Sequence, residues 1–260
     1  MTAAIGVKEY LFTQKKRFTK WFKKIVRIVL RSLIYRSSLN AESCFEIPII
    51  INNRNRLTYL KLMVDQLHSM HYNNIYIIDN ASTYPPLLEY YKTVNAKVVF
   101  LEQNLGYKAL WQISLFEQFK NDFYVYSDPD ILIMPDCPKN FVFLLYQELK
   151  KYPHKEKAGV ALRIDDLPDS YANKAEAIKN ESIFWNKVLS PDVYDAAVDT
   201  TLALYKPLAW GNAEECDAIR VGGKLIARHL TWYADSKNLS EEDLFYRASI
   251  KQNTSVYSIK

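Results

Sequence analysis

Residues 122–135 read Asp-Phe-Tyr-Val-Tyr-Ser-Asp-Pro-Asp-Ile-Leu-Ile-Met-Pro, and this stretch decides the fold. The run from Phe123 to Ser127 is rich in aromatic and β-branched side chains, which predicts a short buried strand. Pro129 lacks a backbone N–H, so the strand should end there, between Asp128 and Asp130. In open α/β sheets, ligands bind beyond the carboxyl ends of strands, and Mg²⁺ or Mn²⁺ is held there by carboxylates and phosphates. The two acids therefore predict a divalent-cation site, and a solvated acidic turn is the alternative.

Outward from this strand, apolar runs with strand character alternate with segments of helical periodicity. The pattern predicts strands at 47–51, 75–78 and 97–101, and helices at 57–70 and about 109–119. Four strand–helix units in sequence predict an α/β fold with a mostly parallel sheet, right-handed crossovers and flanking helices. Further along, Gly222-Gly223 predicts a hairpin between 218–221 and 224–227.

Charge divides the chain unevenly, although its net charge is only +5. Residues 1–40 contain ten Lys or Arg and a single acid, Glu9, whereas the remainder is slightly acidic. We therefore expect a basic N-terminal segment at 1–42 and one domain at 43–260. The three cysteines form no CxxC pair, which argues against a disulfide framework or a zinc site and fits a reducing compartment. We expect neither a membrane-spanning helix nor a cleavable signal peptide.

The basic segment has helical periodicity from Lys15 to Arg36. Its large apolar side chains share one face, and its Lys and Arg side chains mostly take the other: Phe18, Trp21, Phe22, Ile25, Val29 and Leu33 against Lys16, Lys20, Lys23, Lys24, Arg27 and Arg31. Such a helix binds the surface of an anionic membrane. The prediction is a cytoplasmic protein attached peripherally to the inner face of the cell membrane. The alternative is a helix that packs on the domain or on a second subunit. We expect no nucleic-acid partner, because the rest of the chain is acidic.

Four motifs in the first half of the domain resemble those of GT-A fold glycosyltransferases, close to the family 2 type. They are Ile-Ile-Ile-Asn-Asn-Arg-Asn-Arg at 49–56, Ile-Ile-Asp-Asn-Ala-Ser at 77–82, Asn-Leu-Gly at 104–106 and Tyr-Ser-Asp-Pro-Asp at 126–130. The resemblance covers residues 45–135 and is weaker beyond them. It implies the GT-A (nucleotide-diphospho-sugar transferase) fold, with a mostly parallel Rossmann-like sheet.

The resemblance also implies site residues for a nucleotide-sugar donor. Asp79 and the loop from Asn52 to Arg54 would contact the base and ribose. The Asn104-Leu105-Gly106 turn and Lys108 would lie near the phosphates, and Arg163 would pair with the donor phosphate or with one of the candidate bases, Asp199 or Asp166. The metal, Mn²⁺ or Mg²⁺, would be held by Asp128 and Asp130, which places Asp128 beside the donor, with His229 completing the shell. The cation would stabilise the diphosphate leaving group.

An inverting enzyme of this type needs a carboxylate that accepts the proton of the acceptor hydroxyl. Asp199 and Asp166 are the candidates, and Asp199 is preferred because it opens the strand that resembles the floor beneath the donor sugar. The implied function is metal-dependent, inverting transfer of a hexosyl group to a glycan or lipid-linked glycan in surface polysaccharide synthesis. Two alternatives remain open: a sugar-1-phosphate nucleotidyltransferase and a non-catalytic membrane-associated scaffold. The first should carry a Gly-rich loop after the first strand, where this chain has Asn52-Asn-Arg-Asn-Arg56.

Overall fold

The computed structural model describes residues 39–250 except residue 215, together with six residues of a helix in the N-terminal segment. The chain divides into two compact units, at residues 1–38 and 39–260; the sequence placed this boundary at residues 42 and 43. In the first unit the six described residues are helical, and all their side chains are exposed: Phe18, Phe22, Ile25, Val26, Val29 and Leu30. The other predicted members of this helix, Trp21, Leu33 and the basic residues, lie outside the described residues.

The second unit contains a sheet of ten strands within the described residues. The strands are β1 (Ile49–Asn53), β2 (Ile75–Asp79), β3 (Lys97–Phe100), β4 (Tyr124–Ser127), β5 (Ile131–Ile133), β6 (Lys157–Leu162), β7 (Val188–Ser190), β8 (Val193–Tyr194), β9 (Ala203–Tyr205) and β10 (Ala218–His229). The α-helices of this unit are α1 (Thr58–Ser69), α2 (Pro85–Tyr90), α3 (Phe116–Phe119), α4 (Phe141–Lys151), α5 (Lys174–Ser182) and α6 (Glu241–Ser249).

The sheet has the order β3-β2-β1-β4-β9-β6-β10-β8-β7, and β5 pairs with the end of β10. The neighbours β3, β2, β1 and β4 are parallel, as are β6 and β10. β9 is antiparallel to both β4 and β6, so it is inserted between two parallel groups that run in the same direction. Every residue of β1 and β6 is buried, as expected for parallel strands covered on both faces. The predicted mostly parallel α/β sheet with flanking helices is confirmed.

Two local predictions are wrong. The helix expected at about 109–119 is a 3₁₀ segment, Gly106–Gln112, followed by the short α3. The hairpin expected at Gly222-Gly223 is one strand, because β10 pairs in parallel with β6 on both sides of those glycines. A register shift between Val221 and Ile226 absorbs the extra residues, and Gly223 takes a φ of +61° there.

The direction of the strands brings the candidate residues to one edge of the sheet. β1, β2, β4, β6 and β10 all end at this edge, and the antiparallel β9 begins there. The segments that follow or precede these ends include 52–56, 79–82, 128–130, 163–166, 199–202 and 228–229. Open α/β sheets bind ligands at such an edge, so these segments form the candidate site.

Candidate functional site

The two acids after β4 lie on the same edge as His229, which ends β10. Asp130 Oδ2 is 3.7 Å from His229 Nε2, and the Asp130 side chain is only 15% exposed. Asp130 Oδ1 is buried and has no hydrogen-bond partner among the described residues. The His229 ring stacks on Trp232, with centroids 4.7 Å apart, and its Nδ1 is 2.6 Å from the Thr231 hydroxyl. Asp130 therefore directs one oxygen, Oδ2, toward an imidazole that its neighbours hold in place, while its other oxygen, Oδ1, is buried without a partner among the described residues.

Asp128 is fixed by the segment that precedes β9. Its backbone N–H donates to the Thr200 carbonyl at 2.8 Å, and the Thr200 hydroxyl donates to Asp128 Oδ2. Burial, with the nearby charge of Asp130, raises the pKa of Asp128 well above its usual range. Thr200 is not among the site residues predicted from the sequence, because its contact with Asp128 depends on the antiparallel pairing of β9 with β4.

These residues fit a divalent cation in part. No group of three or more His, Cys, Asp or Glu side chains in the described residues is arranged to hold a metal by itself. The donor set of two carboxylates and one imidazole is chemically suitable for Mn²⁺, and the orphaned Asp130 Oδ1 is the kind of atom that a cation satisfies. Mg²⁺ and similar ions bound with phosphates commonly use only one or two protein carboxylates.

Asp199 lies next to Thr200, and much of its surface is open to solvent. Its carboxyl group is nevertheless partly desolvated by the surrounding protein, which raises its pKa, and the charge of Lys157 opposes this shift. Lys157 itself is completely buried, and its ammonium group donates to three oxygens: the backbone carbonyls of Asp199 and Ala213 and the hydroxyl of Tyr205. Burial lowers the pKa of Lys157 to about 8. A carboxylate with a raised pKa is suited to accept a proton.

Asp166, the other candidate base, is held by basic and hydroxyl donors. Arg228 and Tyr233 donate to it, and Arg163 Nε lies 3.2 Å from its Oδ2. Burial alone would raise the pKa of Asp166, but these hydrogen bonds and charges leave the pKa below its usual value. Arg163 also donates to Asp165 at 2.8 Å. Asp166 is thus a weak base that orients arginines.

The predicted nucleotide-binding residues after β1 and β2 are mostly buried. Asp79 is 2% exposed, and its oxygens accept hydrogen bonds from the Tyr91 hydroxyl and the Ser82 backbone N–H. Asn52 donates to the Gly106 carbonyl at 3.3 Å, while its buried Oδ1 has no partner among the described residues. Leu101 N–H donates to the Asp79 carbonyl at the rim of a pocket of about 510 Å³ formed by residues of the 100–105 segment.

The Asn104-Leu105-Gly106 turn is attached to the end of β2 by a residue that the sequence did not single out. Asn80 accepts from the Leu105 N–H at 2.7 Å and donates to the Gly106 carbonyl at 2.8 Å. Asn104 accepts from the Gly106 N–H at 2.9 Å, and Gly106 has a φ of +75°, which favours glycine. These bonds place the turn beside Asn52.

Lys108, predicted to face the phosphates, pairs with Glu214 at 2.5 Å in this structure. The Tyr107 hydroxyl donates to the same carboxylate. The side chains of Lys108 and Glu214 are 27% and 49% exposed, and ion pairs that are open to solvent contribute little to stability. The predicted contact of Lys108 with a phosphate stays a prediction.

The C-terminal helix α6 packs on the loop after β1, a contact that the sequence did not predict. Ser249 accepts from Arg54 at 3.0 Å through its carbonyl, and Asp243 binds Arg56 at 2.5 Å. The Arg56 guanidinium also lies 3.7 Å from the centre of the Tyr246 ring. Glu242 accepts from the N–H and hydroxyl of Thr58 and so caps α1.

No protein-family model matches this chain, and no curated protein matches its sequence. Similar solved structures include S. aureus TarS 1-349, at 16% identity over 62% of this chain and 47% of that one, with a TM-score of 0.38. Another is a Mycobacterium tuberculosis glucosyl-3-phosphoglycerate synthase with Mn²⁺ and UDP-glucose, at 14% identity over 81% of this chain and 80% of that one, with a TM-score of 0.43. A third is GalNAc-T7 with UDP, GalNAc and Mn²⁺, at 12% identity over 70% of this chain and 43% of that one, with a TM-score of 0.45.

Cytidylyltransferases are also among the similar structures, for example one from Leptospira borgpetersenii at 11% identity over 62% of this chain and 60% of that one, with a TM-score of 0.34. The chain spans less than half the length of TarS 1-349 and of GalNAc-T7. With TM-scores below 0.5, these similarities support no inference about the reaction or the substrate of this chain.

Proposed function

We propose that this protein is a metal-dependent, inverting glycosyltransferase that transfers a hexosyl group from a nucleotide-sugar donor. The observation that carries the proposal is the placement of Asp128, Asp130 and His229 beyond the ends of β4 and β10. Asp130 has a buried, unpaired oxygen and lies 3.7 Å from His229. Such a group of oxygen and nitrogen ligands is suited to a cation that also binds a diphosphate.

The donor occupies the edge formed by β1, β2 and β4. The 100–105 pocket and the loop after β1 receive the nucleoside, and Lys108 leaves Glu214 to bind a phosphate. Mn²⁺ or Mg²⁺, when bound, stabilises the negative charge that develops on the leaving diphosphate. Asp128 and Asp130 hold that cation, together with His229.

Asp199 is the base in this proposal. It is exposed, its pKa is raised, and it adjoins Thr200, which binds Asp128. It accepts the proton of the acceptor hydroxyl as that oxygen attacks the anomeric carbon. We assign the role to Asp199 rather than to Asp166, because Arg228 and Tyr233 already donate to the two oxygens of Asp166 and its pKa is below its usual value.

The acceptor is a glycan or lipid-linked glycan in surface polysaccharide synthesis, and the N-terminal segment binds an anionic membrane surface. Two features support the membrane partner: the ten basic residues of 1–40 and the exposed apolar side chains at helical spacing, such as Phe18, Phe22 and Val29. None of the described helices has the length and apolarity needed to cross a bilayer. Flotation with anionic liposomes tests this part. Equal binding by the full chain and by a chain that starts at residue 39 would contradict it.

The reaction is tested by a screen of nucleotide sugars that measures nucleoside diphosphate release, with and without Mn²⁺. We expect Mn²⁺-dependent release that an acceptor glycan stimulates, and we expect Asp199→Asn to lower turnover about 100-fold or more. Asp169→Asn is the control, because Asp169 is a highly exposed acid that pairs with Lys174, outside the proposed site. Pyrophosphate release from a nucleoside triphosphate and a sugar 1-phosphate would instead identify a nucleotidyltransferase and contradict the proposal.

A further inference from the structure

Two arginines at the ends of β6 and β10 share one carboxylate. Arg228 donates to Asp166 Oδ2, and Arg163 Nε lies 3.2 Å from the same oxygen. Tyr233 donates to the other oxygen of Asp166, and its ring lies 4.8 Å from the Arg228 guanidinium carbon. Asp166 and Tyr233 therefore hold the two guanidinium groups side by side.

Much of the hydrogen-bonding capacity of this arginine pair is left over. A guanidinium has five N–H donors. Both side chains are more than a third exposed, at 35% for Arg163 and 37% for Arg228. The Nε of Arg228 is buried and has no partner among the described residues. The remaining acid, Asp165, has a side chain that is 73% exposed, and ion pairs of that kind are weak and easily displaced.

The position of the pair separates it from the donor. In the sheet order, β6 and β10 lie on the side of β4 opposite to β1 and β2, whose loops carry the nucleotide-binding residues. Arg228 directly precedes His229 at the end of β10, so the arginine pair lies on the same edge of the sheet as the proposed cation site.

We propose that Arg163 and Arg228 form a binding site for a phosphate group of the acceptor, an inference that rests on the proposed transferase function. Arginine forks match the geometry of phosphate oxygens and bind them with two parallel hydrogen bonds. The phosphate displaces Asp165 from Arg163 and leaves Asp166 in place. The site then selects acceptors that carry a phosphate near the reacting hydroxyl.

The first test uses inorganic phosphate as the probe, with the full-length protein and ³¹P line broadening at low salt. We expect Arg163→Met and Arg228→Met each to weaken phosphate binding at least tenfold. Lys174→Met is the matched control, because Lys174 is also 35% exposed and also pairs with an aspartate. Unchanged binding in both arginine variants, or an equal loss in the control, would overturn the proposal. Thermal melts of each variant check for a folding defect, and Arg228→Lys, which keeps the positive charge, serves as a second variant at this position.

The second test separates this site from the donor site. Mn²⁺-dependent binding of a nucleoside diphosphate should be the same in the wild type and in Arg228→Met. An equal loss of nucleotide and phosphate binding would assign the arginines to the donor and overturn the inference. If the wild type binds phosphate but no nucleoside diphosphate, and the arginine variants lose phosphate binding, the transferase proposal fails while the phosphate site stands. Glycerol 3-phosphate and geranyl phosphate are then tested as competitors of inorganic phosphate. Competition by glycerol 3-phosphate supports a soluble phosphate acceptor, and competition by geranyl phosphate supports a lipid-linked one. Competition by neither contradicts the proposal.

Discussion

The contact between Thr200 and Asp128 makes a quantitative prediction for metal binding. Thr200→Val removes one hydroxyl and keeps a β-branched side chain of similar shape at a position that is 4% exposed. The hydroxyl donates to Asp128 Oδ2, and when Asp128 is ionised, as metal binding requires, a hydrogen bond to such a charged group contributes about 1.5–3 kcal/mol. At about 1.4 kcal/mol for each factor of ten, its loss corresponds to roughly a 10- to 150-fold effect. Removal of a group that orients a metal ligand commonly costs about 10- to 100-fold in metal affinity.

We therefore expect Thr200→Val to weaken Mn²⁺ binding in the presence of a nucleoside diphosphate by about 10- to 100-fold. The backbone bond from Asp128 N–H to the Thr200 carbonyl remains, so the loop should stay in place. Electron paramagnetic resonance of free Mn²⁺ measures the affinity. Thr200→Ser keeps the hydroxyl and should stay close to the wild type. An affinity for Thr200→Val within twofold of the wild type would refute the idea that Thr200 orients Asp128.

Two further predictions concern the stability of the domain. Arg220→Met removes the partner of Glu181 from an ion pair whose side chains are each 4% exposed, so denaturant titration should show a loss of about 3–5 kcal/mol. Burial raises the pKa of Glu181 to about 7, above its unfolded value, so keeping this side chain buried costs more free energy as the pH rises. The loss of stability in Arg220→Met should therefore be larger at pH 8.5 than at pH 5.5. The opposite order would contradict this reasoning. Asn80→Ala removes two hydrogen bonds to the 104–106 turn and should lower the free energy of unfolding by about 2 kcal/mol, and a loss below about 0.5 kcal/mol would show that the turn is held otherwise.

The sequence predicted the first half of the sheet because its signals are local. Each apolar run there ends in a polar segment, and parallel strands must place those segments at one edge. The acids after β4 and the Asn-Leu-Gly turn were found in this way. His229 lies 3.7 Å from Asp130, although 99 residues of chain separate them, because β10 ends at the same edge; its role as a metal ligand stays a prediction.

Other features depend on contacts between distant residues and could not be read from local patterns. Gly222-Gly223 has the composition of a turn, yet the pairing of β10 with β6 continues through it. The carboxyl group of Glu214 meets Lys108 only after the fold brings together segments more than 100 residues apart. The contacts of α6 with Arg54 and Arg56 span more than 180 residues, and no periodicity in either segment indicates them.

Isothermal titration of a nucleoside diphosphate with and without Mn²⁺ tests the central claim most directly. We expect the wild type to bind in the presence of Mn²⁺, and we expect Asp128→Asn combined with Asp130→Asn to lose that binding while retaining the wild-type melting temperature within a few degrees. Asp169→Asn, the control at a highly exposed acid outside the proposed site, should bind as the wild type does. Binding that is equal with and without Mn²⁺, or equal in the wild type and the double variant, would contradict a cation site at the end of β4.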